Sequence, residues 1–490
     1  MVGFLEWLLS CQQALVKWLN SFHGPETGYV ADFVGAIPEG VFVFLAIVIP
    51  VLVVGLGIQA VAGISTFVER KVAAKIQLRL GPMECNVGSF VGAFARAFCE
   101  KAAKPGASMG ARALALVLGP LIPLLDALDK IVTKRVPGLP IFAADGLKLI
   151  MKEDIIPAAA DNWLFRAAPT IVLASAFAAL ACLPYSDRFY VADFNIGIFY
   201  LAAVTSLEVM GILMAGWASN NKWSLLGGMR SAAQITSYEI PAGLTILTAM
   251  IVSGTMSMQG LTVSQLGVDN WQLGWAWNWY AFSNPLMTIL VPIYFLAALA
   301  ECNRTPFDIP EAESELVSGY HTEYSGMRFA LFFMAEYAMM FVTSAIAVTI
   351  FFGGWSTGIG VLERAMIDGQ PTYDSVGQVT AVHFHWWGSL IHLLAFLVKT
   401  YLVVLIMIWV RWAVPRFRPD QMMALCWKRL MPIGMVAFLG ASAWLLIRGG
   451  LTGGSAEKSL QISQATGVLS LFVFLAVLGG IWIWWKKPAQ

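Results

Sequence analysis

Charged residues are scarce in this sequence. Asp, Glu, Lys and Arg together make up 12% of its 490 residues, about half of the roughly 25% that is usual in soluble domains. An ordinary water-soluble globule is therefore excluded, because its surface would lack polar groups. Hydrophobic residues account for 58% of the chain, so its architecture must be judged by stretches of about 20 apolar residues that can cross lipid.

Two further absences narrow the possible functions. Neither sign of charge is in excess, since 31 basic residues face 30 acidic ones, and this balance excludes the basic footprint of a nucleic-acid-binding protein. No two cysteines form a C-x-x-C pair, so we expect no iron–sulfur cluster or zinc site held by this chain. The six cysteines are Cys11, Cys85, Cys99, Cys182, Cys302 and Cys426.

Nine long stretches carry few or no charges. Because lipid offers no partner to an unpaired backbone group, each stretch is predicted to be a transmembrane helix. The strands of a membrane barrel would be shorter and would alternate strictly. The predicted fold is therefore all-α, a polytopic membrane bundle of about nine helices. The stretches are 41–67, 167–186, 194–221, 240–268, 270–300, 329–362, 375–410, 430–446 and 459–485.

The basic residues predict the orientation of this bundle. The connections after the odd-numbered spans hold 24 of the 31 Lys and Arg residues, whereas the N-terminal segment and the even-numbered connections hold 5. Basic residues concentrate on the cytoplasmic side of membrane proteins. The N-terminus is therefore predicted outside and the C-terminus inside.

Five ionisable residues lie in or at the ends of the apolar stretches. Each would cost about 2.5–3.5 kcal/mol if it were charged and unpaired at the middle of a bilayer. We therefore expect them to be neutral, paired or next to water. Hydrogen bonding between helices could explain any single one, but four carboxylates on different helices suit a proton relay. The five are Glu208, Glu239, Glu301, Glu336 and Lys399.

An acidic loop and a basic helix end lie on the predicted inside face. The loop joins the stretch that ends at Glu301 to the one that contains Glu336, so carboxylates and water could extend from the surface into the membrane. The first stretch ends in a charged segment that could alternatively be only a positive-inside anchor. The loop carries Asp308, Glu311, Glu313, Glu315, His321 and Glu323, and the helix end carries Glu69, Arg70, Lys71 and Arg79.

Three histidines, His383, His385 and His392, lie close together in the sequence. Their spacing could suit a metal, but no carboxylate or cysteine accompanies them locally. We therefore predict no metal site here.

Several blocks of this sequence resemble one family, the H-type membrane subunit of bacterial NADH:quinone oxidoreductase, or respiratory complex I, which includes subunit 1 of the mitochondrial enzyme. Three of them lie in and around the acidic loop. The blocks are 69–71, 77–82, 144–149, 152–154, 216–217, 220–226, 230–234, 237–239, 303–308, 310–316, 319–326, 409–411 and 415–416.

The resemblance implies a bundle of eight spans that forms a quinone chamber together with peripheral subunits. One of those subunits carries the terminal iron–sulfur cluster, so quinone is a substrate and this chain holds no redox cofactor of its own. Quinone reduction is coupled to proton translocation through buried glutamates that lead toward small membrane subunits and antiporter-like subunits. The implied location, in contact with lipid, is the bacterial cytoplasmic (inner) membrane.

The resemblance also suggests roles for individual residues. The proton-pathway candidates are the same five span residues, Glu208, Glu239, Glu301, Glu336 and Lys399. The candidates for the quinone cavity and the coupling loop are Glu69, Arg70, Lys71, Arg79, Arg304, Asp308, Glu311, Glu313, Glu315, His321, Glu323 and Arg328.

The chain departs from the family pattern in three places. Residues 1–40 form an N-terminal extension, the family-like bundle covers 41–433 with an insertion at about 89–142, and 434–490 include an additional span. The insertion enlarges the first inside loop. The extra segments could contact accessory subunits or lipid.

Other functions remain open from the sequence. The same bundle could anchor a related hydrogenase or a ferredoxin-dependent complex, and the electron donor is not encoded in this chain. A stand-alone secondary transporter is disfavoured, because such carriers often contain internal repeats and we find none in this sequence.

Overall fold

The structure is a computed structural model that is almost entirely helical in the part of the chain it describes. Its longer helices pack against one another in a single bundle. The described residues are 57, 61–82, 141–267, 274–310, 317–367, 372–373, 379–381 and 384–452.

Fourteen helices lie within these ranges. They are α1 (61–76), α2 (Ile141–Met151), α3 (Asn162–Ala181), α4 (Gly197–Thr205), α5 (Leu207–Ala218), α6 (Lys222–Ser253), α7 (Met258–Ser264), α8 (Tyr280–Ser283), α9 (Pro285–Glu301), α10 (Gly326–Phe351), α11 (Gly360–Met366), α12 (Trp386–Ala413), α13 (Pro419–Leu425) and α14 (Met431–Thr452). Short 3-10 turns occur at Ala276–Asn278 and Gly319–His321, and one π-helical turn at Cys426–Leu430 joins α13 to α14. Strands β1 (Thr372–Tyr373) and β2 (Val379–Ala381) form an antiparallel pair before α12.

Six helical segments of the described chain are long and apolar enough to cross a membrane. This confirms the predicted fold class, a polytopic helical membrane bundle. A seventh, α9, is apolar but has 17 residues. The ninth predicted span, most of the first, the sides of the termini and the predicted segment boundaries involve residues outside the described ranges and stay predictions. The six segments are Asn162–Ala181, Gly197–Ala218, Lys222–Ser253, Gly326–Phe351, Trp386–Ala413 and Pro419–Leu445.

Some helix ends differ from those of the charge-free stretches. Helix α6 begins at Lys222, well before the stretch 240–268, because Arg230 and Glu239 lie inside the helix rather than before it. Helix α10 ends at Phe351 although the apolar stretch continues to residue 362. Gly353 and Gly354 follow with φ values of 70° and 51°, a left-handed conformation that glycine adopts without strain and that ends a helix.

Helix α10 lies at the centre of the bundle. Within an apolar stretch of 18 residues in α10, 83% of the residues are buried, whereas the corresponding share in the other five segments is between 28% and 44%. Such burial on all faces is expected of a helix that is surrounded by others. Helices α3, α9 and α12 pack directly against it. Any group on α10 is thus in a position to interact with several helices at once.

Side-chain caps position the helices around α10. The side chain of Asp161 accepts hydrogen bonds from the first turn of α3, and that of Asn221 accepts one from Trp223 N at 3.0 Å at the start of α6. Asn284 caps α9, whose first residue is Pro285. Asp and Asn are favoured at this position because their oxygens satisfy free backbone N–H groups, and proline is favoured at the first helical position.

Candidate functional site

A large cavity lies between α1, α2, α10 and the last turns of α12. Its volume is about 1070 Å³, just above the range of roughly 300–1,000 Å³ that is usual for small-molecule sites. We call this end of the bundle the pocket end. Most of the wall is apolar, and the ionisable groups come mainly from α1, α2 and the segment after α1. The apolar wall includes Ala62, Leu149, Met327, Phe329, Phe333, Met334 and Trp412, and the ionisable groups are Glu69, Arg70, Arg79, Asp145, Lys148 and Tyr337.

Glu69 joins the cavity to a set of buried charges. This residue is only 5% exposed, so its carboxylate needs partners inside the protein. Tyr337 Oη donates a hydrogen bond to Glu69 Oε2 at 2.5 Å, and Arg304 Nη1 lies 3.5 Å from the same oxygen. Arg411 near the end of α12 forms an ion pair with the other oxygen, Oε1. Two guanidinium groups therefore compensate one buried carboxylate.

Arg304 is shared between Glu69 and a second buried carboxylate, Glu336 on α10. Arg304 Nη2 lies 3.8 Å from Glu336 Oε2, and the guanidinium stacks 4.3 Å above the Tyr337 ring. Tyr320 Oη donates to Glu336 Oε1 at 3.1 Å, and His321 Nε2 lies 3.4 Å from that atom. We call Glu69, Arg304, His321, Glu336 and Arg411 the arginine–glutamate cluster.

Local packing holds the segments that carry Arg304 and His321. Gln234 on α6 donates hydrogen bonds to Ala300 O at 2.9 Å and to Phe307 O at 2.7 Å, so the chain on both sides of Arg304 is tied to α6. Gly227 on the same helix packs against the backbone of Gly319, where a Cβ atom would come within 2.7 Å. This close approach brings the 3-10 turn with His321 down onto α6.

The glutamates of the spans continue inward from this cluster. Glu208 at the start of α5 is buried and lies within electrostatic range of both Glu336 and Glu301. Glu301 in turn interacts with Glu239, and both line a cavity of about 40 Å³ together with Thr205 and Tyr294. Four carboxylates from α10, α5, α9 and α6 thus form a row that leads from the arginine–glutamate cluster into the bundle.

Lys399 lies apart from that row. Its Nζ donates hydrogen bonds to Phe352 O at 2.8 Å and Ser356 O at 2.7 Å, just beyond the end of α10, and lies 4.7 Å above the Trp279 ring. It also interacts electrostatically with Glu363. Its surroundings are therefore at the opposite end of the bundle from the pocket.

Next to Lys399 a histidine is held between two carboxylates. His392 Nδ1 lies 3.4 Å from Asp187 Oδ1, and its Nε2 lies 3.0 Å from Glu363 Oε2. The side chains of His392 and Glu363 are 0% and 1% exposed, and that of Asp187 is 11% exposed. We call Asp187, Glu363, His392 and Lys399 the cap cluster. Within the described residues, no group of three or more His, Cys, Asp or Glu side chains is arranged to hold a metal ion.

The remaining predicted site residues occupy several environments. Asp308 binds Arg416 at 2.8 Å between Oδ2 and Nη2. Glu323 accepts a hydrogen bond from Asn221 Nδ2 at 2.7 Å, and Arg328 Nη2 lies 3.0 Å from Asp154 Oδ2. Lys71 Nζ lies 5.8 Å from the centroid of the Phe67 ring. Glu311, Glu313 and Glu315 lie outside the described residues.

Several residues of the two clusters are absent from the predicted site residues. Arg411 is part of a family block, but nothing in the local sequence indicates that it pairs with Glu69. Tyr320, next to the arginine–glutamate cluster, lies in the family block 319–326 but is not among the predicted site residues, and Tyr337 carries no signal that separates it from an ordinary core aromatic. Asp187 and Glu363 lie far apart in the sequence, and only the folded chain brings them to His392.

Fold and site together define a class: a polytopic helical membrane protein in which a large cavity adjoins buried ion pairs and a row of intramembrane carboxylates. The family model described as NADH dehydrogenase matches residues 131–442. The chain belongs to this family.

Individual relatives carry a more specific name, that of the H subunit of NADH-quinone oxidoreductase. The protein of this name from Anaeromyxobacter dehalogenans is 49% identical over 305 residues, which cover 62% of this chain and 70% of the relative. Its counterpart in Chlorobaculum parvum is 45% identical over 306 residues, covering 62% and 79%. The second H subunit of Solibacter usitatus is 35% identical over 428 residues, covering 80% of this chain and 94% of that protein.

Proposed function

We propose that this chain is the quinone-site and proton-coupling membrane subunit of a proton-translocating NADH:quinone oxidoreductase. One observation carries the proposal: the cavity of about 1070 Å³ shares Glu69 with the arginine–glutamate cluster, from which Glu208, Glu301 and Glu239 continue. The chain is then catalytic only as part of its complex.

The cavity suits a quinone in shape and chemistry. Its largely apolar wall matches a hydrophobic ring and tail, and its charged groups come from α1, α2 and the segment after α1. Reduction of a quinone to a quinol takes up two electrons and two protons. In this proposal the redox group belongs to a partner: the electrons would come from an iron–sulfur cluster in a peripheral subunit.

Glu69 is the group through which a change in the cavity would reach the bundle. A quinone that gains electrons becomes a stronger proton acceptor, and a nearby carboxylate responds to that change of charge. Arg304 is within 4 Å of both Glu69 and Glu336. A change of charge at Glu69 therefore alters how strongly the Arg304 guanidinium stabilises the Glu336 carboxylate. Glu336 is within electrostatic range of Glu208, the next group in the row.

A single water could complete the inner part of the row. The cavity between Glu239 and Glu301 has a volume of about 40 Å³, enough for one water molecule, which takes up about 30 Å³ in the liquid. Its polar lining from Glu239, Glu301, Thr205 and Tyr294 would provide that water with the two to four partners that a buried water needs.

The proposal also implies partners and a location. The pocket end would face the peripheral subunits that complete the quinone chamber. Small membrane subunits and antiporter-like subunits would continue the carboxylate row. Exposed apolar side chains of α12, including Leu394, Val398 and Leu402, would contact lipid or such a subunit. The membrane would be the bacterial cytoplasmic (inner) membrane.

Isosteric replacements in the row test the proposal. In the intact complex, Glu239→Gln and Glu301→Gln should each lower quinone reductase activity and proton pumping, by about tenfold or more if the carboxyl relays protons. Electron input measured with an artificial acceptor at the peripheral arm should not change.

A matched control and an opposing outcome complete this test. Glu153→Gln changes an exposed glutamate outside the row and should leave pumping unaltered. Normal pumping in both row variants would disprove the proposed path, whereas loss of peripheral electron input would point to faulty assembly and would be recognised as such.

A further inference from the structure

The cap cluster has a hydrogen-bonding geometry that constrains its protonation. Both ring nitrogens of His392 face a carboxylate oxygen, at 3.4 Å in Asp187 and 3.0 Å in Glu363. A neutral imidazole has one N–H donor and one acceptor nitrogen, so it would leave one carboxylate facing a lone pair. The imidazolium has two N–H donors and satisfies both.

Burial by itself disfavours a charged imidazole, but the two carboxylates that face its nitrogens outweigh that cost. The His392 and Glu363 side chains are at most 1% exposed, and two carboxylates buried without a compensating cation would be strongly unfavourable. The Trp355 and Phe384 rings enclose the imidazole, with centroids 4.6 and 4.5 Å away. Little water can therefore replace the missing positive charge.

The charged groups around His392 come from three segments. Asp187 lies in the α3–α4 connection, Glu363 on α11 and Lys399 two turns further along α12; Arg188 Nε lies 3.9 Å from Asp187 Oδ2 at the exposed rim. The protonated His392 places a positive charge directly between the two carboxylates, and deprotonation removes that charge.

Neutral donors hold the carboxylates in place for the imidazole. Ser186 and Ser389 donate to the two oxygens of Asp187 at 2.7 and 3.0 Å. Thr357 donates to Glu363 Oε1 through its backbone N–H at 2.6 Å and its hydroxyl at 2.8 Å. Each carboxylate is therefore fixed by backbone or hydroxyl donors in an orientation that presents an oxygen to His392.

We propose that the cap cluster is a proton-binding site, distinct from the carboxylate row, in which a proton on His392 holds α11 and the α3–α4 connection against α12. Asp187, the more exposed of the two carboxylates, connects the site to the aqueous phase at this end. Loss of the proton releases the two segments. The inference does not depend on the identity of the molecule in the cavity.

Amide hydrogen exchange of the intact complex at several pH values tests the proposal. Peptides covering residues 182–196 and 359–367 are followed from pH 6 to pH 10, with rates corrected for the intrinsic effect of pH on exchange. In the native complex their corrected exchange should rise by about tenfold or more as alkaline pH removes the proton. The protective contribution is present while His392 is charged, and it disappears as pH rises.

Two glutamine variants distinguish the titration of His392 from that of a nearby histidine. His392→Gln cannot become cationic, so both peptides should exchange fast already at pH 6 and should show no alkaline step. His385→Gln is the matched control at the start of the same helix and should keep the step. An unchanged step in His392→Gln, or no step in the native complex, would overturn the proposal.

A milder variant covers the case in which His392→Gln does not assemble. Asp187→Asn keeps a hydrogen-bonding group for Ser186 and Ser389 but removes one of the two negative charges that favour the imidazolium. The alkaline step should then move to lower pH. A step at the native pH in this variant would contradict the assignment to His392.

Discussion

At the two ends of the bundle, buried carboxylates are compensated by different cations. We call the end of the bundle that holds the cap cluster the cap end. Helix α12 reaches both ends, since it carries Arg411 at the pocket end and His392 at the cap end. These two residues are about 28 Å apart along the helix axis, at 1.5 Å per residue. At each end a cation lies between buried carboxylates. The pocket end uses two arginines, with His321 beside Glu336, whereas the cap end uses a histidine and a lysine.

This difference determines which groups can change their charge. Arginine stays protonated at any pH a protein encounters, while histidine titrates near neutrality. In the arginine–glutamate cluster a proton can therefore be gained or lost only by a carboxylate, by His321 or by a molecule in the cavity. In the cap cluster the cations themselves, His392 and Lys399, can lose their protons. The pocket end is therefore suited to passing a change of charge on to the neighbouring carboxylates. The cap end is suited to a packing contact that depends on a bound proton.

The largest predicted effect comes from removing the shared arginine. Arg304→Gln leaves Glu69 and Glu336 buried without the guanidinium between them. Breaking a buried ion pair by removing one partner costs about 3–5 kcal/mol. We expect a marked fall in the thermal stability of the membrane arm and loss of quinone reductase activity in the assembled complex.

Arg70→Gln is the matched control for this prediction. Arg70 pairs with one carboxylate, that of Asp145, and the two side chains are 46% and 37% exposed; exposed pairs contribute about 0–1 kcal/mol. Its effect on stability should be correspondingly small. Equal losses of thermal stability in the two variants would contradict the prediction. They would show that the buried Arg304 pairs contribute no more than an ordinary surface pair.

A smaller effect is expected from the contact that positions His321. In Gly227→Ala the added methyl group would lie 2.7 Å from Gly319 Cα, which requires the 3-10 turn to move away from α6 and costs about 1–3 kcal/mol. Gly243→Ala is the control on the same helix, because no atom lies within 4 Å of its added Cβ. There the better helix propensity should raise stability by up to about 1 kcal/mol. Thermal unfolding of the two variants in the complex measures the difference, and a stable Gly227→Ala protein would mean that the turn adapts freely.

Local sequence signals predict the helices better than their ends. The apolar stretches around α10 and α12 predict spans because hydrophobic length is a property of consecutive residues. The start of α6 is missed because the helix extends beyond its apolar part, and Arg230 and Glu239 interrupt the pattern without interrupting the backbone. The end of α10 depends on the backbone conformation of Gly353 and Gly354, which composition does not reveal.

The partners of the site residues cannot be predicted in the same way. Glu69 and Glu336 stand out as ionisable groups at an apolar helix end and within a span, but their common partner Arg304 is distant from Glu69 in sequence. The sequence groups His392 only with its neighbours His383 and His385. Its actual partners, Asp187 and Glu363, come from two segments elsewhere in the chain. A residue type can indicate that compensation is needed, but tertiary packing decides which group provides it.

The smallest predicted effect concerns the acid side of the cap cluster. Burial by itself would raise the pKa of Asp187, but hydrogen bonds from His392, Ser186 and Ser389 outweigh it and hold the pKa below its ordinary value. A carboxylate with a lowered pKa stabilises the folded state above its unfolded value of about 3.9, and this contribution is lost only as pH falls through the lower folded value. Corrected amide exchange of the cap peptides should therefore stay constant between pH 7 and about pH 4.5.

Asp187→Asn measures the size of that contribution. The variant should lower the local stability of the cap end by about 1–2 kcal/mol, because a charged hydrogen bond is replaced by a neutral one. Asp193→Asn, in the same connection and hydrogen-bonded to Ser257, is the control for loss of a nearby carboxylate. If cap-end exchange in the native complex already rises as pH falls from 7 to 5, the Asp187 carboxyl is being protonated too early for an ion pair with His392. The cap end would then be held together by neutral hydrogen bonds. The two ends would differ in that only the pocket end is stabilised by ion pairs.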